Sequence, residues 1–344
     1  MLSNAFITCL KRRSKQMKCW LNKLSATISL TTGLLIGSAM LLLHAPHVQA
    51  QTARKSPVVP AVRAHLLVSA EWLTKYLNDP KVIVLHVGRD RTIYDAGHVP
   101  GARFVPFADL VVTRDGIAAE LAPVEKLQQV FSRAGVGNDA HIVLYGDVAG
   151  PVATRAYFTL DYLGFGEQTA LLDGGLEKWK ADKRLLSTDA TEIKAAVFTP
   201  RLNPKVFVTR EVVRDLSWQA VNTTATTTAL IDARPAEDYA GRASSLVPRP
   251  GHIPGAGNVY WMDTLASKET PTMRPVAELR KMYETAGAVP GKKIVTYCWI
   301  GLMASHAYFT AKYLGYDVAM YDGSFTEWSK TESMPVVGSN SKKP

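Results

Sequence analysis

Cysteine is scarce in this 344-residue chain: there are three, Cys9, Cys19 and Cys298, and the first two fall within the opening fifty residues. Those fifty residues also lack any acidic side chain, while Lys11, Arg12, Arg13, Lys15, Lys18 and Lys23 supply six of the 40 basic residues. Beyond them the balance is 34 basic against 30 acidic, net +4, so the high isoelectric point belongs mostly to the opening segment. A nucleic-acid binder would need a clustered basic face or an aromatic-basic motif, and neither is present. The histidines are scattered and Gly-x-Gly-x-x-Gly is absent, which leaves no metal constellation and no dinucleotide loop. The sequence implies no cofactor.

The opening segment has its own logic. The basic run precedes an uncharged stretch over residues 24–43, most apolar over residues 34–43, and Val48-Gln49-Ala50 then offers small residues for cleavage before Gln51. That order is the pattern of a secretory signal peptide over residues 1–50, and it implies export to a bacterial periplasm. An uncleaved leader would instead anchor the chain in the membrane, against which the Ser, Thr and Gly content of residues 25–38 weighs. Cleavage leaves Cys298 as the single thiol, which excludes an intramolecular disulfide. A lone thiol in an oxidising compartment is either buried and inert or kept for its chemistry.

The remaining chain repeats itself at a spacing of about 150 residues, the size of one domain. Val82-Ile83-Val84-Leu85-His86 answers Ala229-Leu230-Ile231-Asp232-Ala233, both apolar runs of the kind found in buried parallel strands. Gly97-His98-Val99-Pro100-Gly101-Ala102 matches Gly251-His252-Ile253-Pro254-Gly255-Ala256, where Pro-Gly fits a type II turn. His141-Ile142-Val143-Leu144-Tyr145 pairs with Lys293-Ile294-Val295-Thr296-Tyr297, each followed by a glycine-containing loop and a helix. The helical stripe Ala153, Ala156, Tyr157, Leu160, Leu163 corresponds to Ala304, Ala307, Tyr308, Ala311, Leu314, with Gly164 and Gly315 as stops. Asp173-Gly174-Gly175 through Trp179 matches Asp322-Gly323-Ser324 through Trp328. Strands alternating with helices predict an α/β fold: two domains, residues 64–187 and 206–338, joined by a linker over 188–205, each a mostly parallel sheet flanked by helices on both faces.

Taken in order, the two Gly-His-x-Pro-Gly-Ala motifs, Asp232-Ala233-Arg234, Asp322-Gly323 and the loop Cys298-Trp299-Ile300-Gly301-Leu302-Met303-Ala304 resemble the tandem-domain rhodanese family of thiosulfate and 3-mercaptopyruvate sulfurtransferases. The resemblance covers almost the whole chain beyond residue 50. It implies that the second domain carries the nucleophile, Cys298, and that the first, reading Gly146-Asp147-Val148-Ala149-Gly150-Pro151 at the matching loop, is inactive and forms one wall of the cleft. It also implies a substrate role for Arg234 and places His98, oriented by Asp90, near the cleft. The preferred reading of His98 and His252 is nevertheless a hydrogen bond within the fold, with His98 the better candidate for a cleft role, and for Arg234 a salt bridge to Asp232 stands level with substrate contact. His306, Trp179 and Trp328 read as structural.

Cys298 should end a parallel strand just ahead of a helix starting near Met303. Backbone N–H groups of Trp299, Ile300, Gly301, Leu302, Met303 and Ala304 would then make an anion nest that lowers the thiol pKa. Gly301 lets the backbone turn. The thiolate would take a sulfane sulfur from a small donor as a persulfide and pass it to a thiol or cyanide-like acceptor, or to a protein. The family's substrate determinants are altered. Basic residues or a Gly-Ser pair after the cysteine are replaced by Trp299 and Ile300, and a substrate arginine four residues after Arg234 is replaced by Asp238, whose charge would repel an anionic donor; Arg242 or Arg249 could supply positive charge instead. Phosphatases and arsenate reductases of this loop type require arginine where Ala304 stands, which excludes oxyanion transfer of that kind. The alternative of another class is a non-catalytic rhodanese module that binds a partner or carries persulfide.

Overall fold

The computed structural model describes residues 59–146, 151–242 and 247–338. The expected leader with Cys9 and Cys19, and positions 147–150 of the first copy's loop, lie outside the described residues.

The first copy runs β1 (Leu67–Val68), α1 (Ala70–Tyr76), β2 (Val82–Gly88), α2 (Thr92–Ala96), β3 (Arg103–Pro106), α3 (Phe107–Leu110), β4 (Val111–Arg114), β5 (Ile117–Leu121), α4 (Val124–Arg133), β6 (His141–Gly146), α5 (Pro151–Tyr162), β7 (Thr169–Leu172) and α6 (Gly175–Ala181). The second runs β8 (Phe207–Val208), α7 (Arg210–Asn222), β9 (Thr228–Asp232), α8 (Ala236–Tyr239), β10 (Gly257–Asn258), α9 (Val276–Thr285), β11 (Lys293–Tyr297), α10 (Leu302–Tyr313), β12 (Val318–Tyr321) and α11 (Ser324–Lys330). Their sheets have one topology, β1-β7-β6-β2-β3 and β8-β12-β11-β9-β10, with every pairing parallel. The central strands are apolar along their length because helices cover both faces, so no strand face meets water.

The register corrects the strand alignment read from sequence by one residue. His86 lies opposite Tyr145 and Asp232 lies opposite Tyr297. The two tyrosines are equivalent, since each hydroxyl accepts the N–H of the residue after the motif histidine, Val99 at 3.1 Å and Ile253 at 3.2 Å. Val82–His86 therefore answers 228–232, not 229–233, and His86 takes the place of Asp232. Apolar periodicity misses such a slip because a strand buried on both faces has no alternation to fix its phase. The Pro-Gly turns are as expected: Gly101 and Gly255 have φ of +74° and +79°, and Ala102 and Ala256 donate back to Val99 and Ile253.

Three apolar clusters hold the molecule. One lies on the outer face of each sheet, around Trp179 in the first copy and Trp328 in the second, whose indole N–H groups donate to Leu185 and Pro335 carbonyls at 2.8 and 2.7 Å. The third is shared by both copies, with α5 and α10 against each other at its centre. Thr154 and Ser305, equivalent positions of those helices, meet side chain to side chain at 3.0 Å, and the Tyr308 hydroxyl donates to Asp161 at 2.5 Å. Lys312 lies 2.8 Å from the same carboxylate. Several of the polar groups buried in this interface are thus paired across it. Residues 188–203 have no helix or strand and lie along the first copy, with Phe198 buried between Phe131 and Phe165.

Candidate active site

Cys298 follows the last residue of β11, at the carboxyl edge of the sheet's middle strand, where open α/β sheets place their ligands. The loop is held from beneath by the turn after β12. The Cys298 N–H donates to Ser324 Oγ at 3.2 Å, and the N–H groups of Phe325 and Thr326 donate to the Cys298 and Trp299 carbonyls at 2.9 and 3.0 Å. Gly301 closes the loop with φ +80° just before α10, in the left-handed region that favours glycine. A Cβ there would stand 2.5 Å from Asp322 Oδ1, so both conformation and space exclude a side chain.

The backbone N–H groups of Ala304, Ile300 and Met303 favour the sulfur's anion, as the sequence predicts for an anion nest. The expected lowering of the thiol pKa does not follow. Burial, with the sulfur shut from water, pushes the thiol up and outweighs the three N–H groups, and the Asp232 carboxylate adds to the rise. The nest was visible in sequence; the depth of the cysteine, with 1% of its surface exposed, was not. Cys298 therefore rests as a thiol, with neighbouring backbone N–H groups that favour its anion.

A cavity of about 340 Å³ opens onto Cys298. Trp299, Ile300, Leu302 and Met303 line it from the second copy, and Gly116 and Ala118 from the first. No charged side chain lines this cavity among the described residues. The first-copy wall is the antiparallel hairpin β4–β5, whose turn, Asp115-Gly116, has φ of +51° and +70°. Sequence reasoning expected a wall from the first domain but did not find this hairpin, although Asp-Gly between short apolar runs is its ordinary signature.

Asp322 ties the two copies together beneath the loop. Its carboxylate is ion-paired with Arg155 of α5, both side chains at most 2% exposed, and accepts the Leu121 N–H of β5 at 2.9 Å. The pair packs directly under Gly301. In the first copy the matching Asp173 accepts the Met273 N–H from the second at 2.9 Å. Arg155 gave no signal in sequence, since a basic residue within a helix is ordinarily exposed.

Four expected site residues are placed elsewhere. Arg234 is fully buried, pairs with Asp232 at 2.6 Å, donates to the Gly251 carbonyl at 2.7 Å and lies 4.1 Å over the Phe325 ring. It is a structural strut and does not line the cavity. Asp238, within α8, is 8% exposed and does not line it either, so its charge does not guard this cavity. His98 stacks on Tyr94 with ring centroids 3.8 Å apart and bonds the Tyr94 carbonyl through Nδ1 at 2.8 Å, deep in the first copy. Asp90 does not orient it; its carboxylate accepts the Thr92 N–H at 2.8 Å at the start of α2. His252 repeats the His98 arrangement on Tyr239. Arg242 pairs with Glu237, and Arg249 donates to carbonyls at the end of α11. His306 bonds Thr264 at 2.9 Å, and burial lowers its pKa to about 4, so it is neutral.

Fold and site together define a class: a duplicated α/β protein with one sheet-end thiol in an anion-binding loop. A model of the rhodanese-like domain matches the chain twice, over residues 69–182 and 215–331, and the chain belongs to the rhodanese family. It is 34% identical over 285 residues to sulfur carrier protein TtuD of Thermus thermophilus, covering 79% of this chain and 96% of that protein. It is 33% identical over 284 residues to a candidate thiosulfate sulfurtransferase of Mycobacterium bovis, covering 80% and 98%. The anaerobic ergothioneine biosynthesis enzyme of Chlorobium limicola shares the fold, with a TM-score of 0.70 at 23% identity over 80% of this chain and 70% of that one.

Proposed function

We propose that this protein is a sulfurtransferase that moves a sulfane sulfur from a donor to a nucleophilic acceptor through a persulfide on Cys298. One observation carries the reading: the only cysteine among the described residues sits at a sheet end in a strand-to-helix loop, beside backbone N–H groups that favour its anion, and lines a cavity of about 340 Å³. The Cys298 thiolate attacks the transferable sulfur of the donor; the S–S bond of thiosulfate breaks with sulfite leaving, or the C–S bond of 3-mercaptopyruvate breaks with the enolate of pyruvate leaving, and Cys298 holds the sulfur as a persulfide. Acceptor attack on the outer persulfide sulfur then restores the thiolate. The same N–H groups stabilise thiolate and persulfide anions alike, and each is worth roughly 1–3 kcal/mol to a buried charge. The names of the Thermus and Mycobacterium relatives, sulfur carrier and candidate thiosulfate sulfurtransferase, fit both halves of this cycle.

The test is steady-state kinetics with thiosulfate or 3-mercaptopyruvate as donor and cyanide or a thiol as acceptor. Parallel double-reciprocal lines and loss of turnover in Cys298→Ser are expected; transfer that persists in Cys298→Ser would overturn the reading. We also propose export to the periplasm, supported by the basic run and apolar stretch of residues 11–43. Its check is the N-terminal sequence of protein recovered from the periplasmic fraction, expected to begin at Gln51.

A further inference from the structure

The two copies differ at a groove that shares no residue with the Cys298 cavity. In the first copy a cavity of about 140 Å³ lies between the carboxyl end of β3 and α4, and Ile193 of the linker helps to line it beside Phe104, Val105, Asp109, Val130 and Arg133. The linker is fastened along this edge. Thr191 Oγ1 donates to the Ala102 carbonyl at 2.9 Å, the Ala196 N–H donates to the Ser132 carbonyl at 3.0 Å, and Ser132 Oγ donates to the Ala196 carbonyl at 2.6 Å. An extended stretch of chain thus closes the groove, with Ile193, flanked by Glu192 and Lys194, as the side chain that enters it.

The second copy has the matching groove. Phe104 lies opposite His86 and Asn258 opposite Asp232, the equivalent strand positions, and the Val130 and Met282 carbonyls each accept the N–H four residues on, at the ends of α4 and α9. Asn258, Val259, Asp263, Met282 and Thr285 therefore stand where Phe104, Val105, Asp109, Val130 and Arg133 stand in the first copy, and they line a cavity of about 500 Å³. Among the described residues, all that line it belong to the second copy. Two opposite charges without an ion pair among the described residues border it, Lys281 on α9 and Asp263, while Arg274 and Glu278 pair with each other at 3.2 Å.

We propose that this groove docks an extended segment of a separate protein, with one aliphatic side chain in the cavity, an acidic neighbour toward Lys281 and a basic neighbour toward Asp263. The occupant is read from the first copy, where Glu192-Ile193-Lys194 has that pattern and fills the counterpart. Extended peptides laid along a sheet edge are a recurrent mode of recognition, in which pockets for particular side chains give the specificity. The Cys298 cavity and this groove have no lining residue in common, so docking here leaves the sulfur site open.

The experiment titrates the protein into a fluorescein-labelled synthetic peptide with the sequence of residues 189–199 and follows fluorescence anisotropy. Saturable binding with a Kd below about 1 mM is expected. It should weaken about tenfold when the peptide carries Ile193→Ala, which removes a partly buried aliphatic side chain, and by a similar factor when the protein carries Thr285→Trp, which fills the cavity. Lys281→Glu should weaken binding threefold to fivefold, the range of an exposed ion pair, and a peptide carrying Glu192→Lys should bind that variant better than it binds the unaltered protein. Thr285 and Lys281 are exposed, so both variants should keep the melting temperature and the rate of sulfur transfer to cyanide. No saturable binding, or binding undiminished by Thr285→Trp, would overturn the docking site. A charge exchange without effect would overturn the part given to Lys281. Self-association in sedimentation that Thr285→Trp abolishes would give the groove to another molecule of this chain and overturn the separate partner.

Discussion

At the scale of single residues, the site turns on a balance at Cys298 between burial, which favours the thiol, and three N–H groups, which favour its anion. Burial prevails, so the thiolate fraction grows as pH rises and is small at neutrality. The pH dependence of Cys298 alkylation by a small uncharged reagent should therefore have its midpoint above the free-thiol value of about 8.5; a midpoint below 7 would mean that the nest outweighs burial. Gly301→Ala should destabilise the protein by about 2–4 kcal/mol in urea unfolding, through a left-handed backbone and a clash with Asp322. The place of Cys298, after a strand and ahead of a glycine and a helix start, was legible in sequence because those neighbours carry its context. Asp238 and Asp90 were not, because the direction of a side chain depends on what packs around it, whereas for Arg234 and His98 the sequence already offered the salt bridge and the hydrogen bond within the fold that the structure shows. Asp232, two residues before Arg234, captures the arginine, and Tyr94, four before His98, captures the histidine.

Among the elements, the β4–β5 hairpin matters most to the site because it brings the first copy to the second copy's cysteine. Ala118 is exposed on this hairpin and lines the Cys298 cavity. Ala118→Trp should fill the space above Cys298 and cut sulfur transfer at least tenfold, while leaving the melting temperature within a few degrees because no core contact is lost. A variant that keeps full activity would place the substrate path elsewhere. The sheets and their helices were legible in sequence as apolar runs and stripes, and the helix expected near Met303 begins at Leu302. The hairpin was not recognised because its strands are short and only half apolar, so its evidence lay in two turn residues. The strand slip between residues 228–232 and 229–233 has a related cause, a run without alternation.

On the scale of the whole molecule, the duplicated domains behave as one structure with a shared core. Gene-level repetition read from sequence explains why α5 meets α10 at equivalent residues, Thr154 and Ser305. It does not explain how the copies have diverged at the joint: Arg155 reaches across to Asp322 beneath the reactive loop, while the matching His306 is neutral and bonds Thr264. Arg155→Met would leave Asp322 as an uncompensated buried charge. It should cost about 3–5 kcal/mol in urea unfolding, with the double variant Arg155→Met, Asp322→Asn recovering part of that loss. The first copy thus contributes to the second the hairpin wall, the Arg155 support and half of the shared core.

The central claim is that Cys298 carries the transferred sulfur. Intact-mass and peptide-level mass spectrometry after exposure to thiosulfate, 3-mercaptopyruvate, polysulfide or an organic persulfide tests it directly. The account predicts a gain of one sulfur atom on the Cys298 peptide from at least one donor, lost again on adding cyanide or a thiol acceptor, and no gain in Cys298→Ser. An unmodified Cys298 with every donor, in a protein that still binds a partner, would contradict it and favour a binding module.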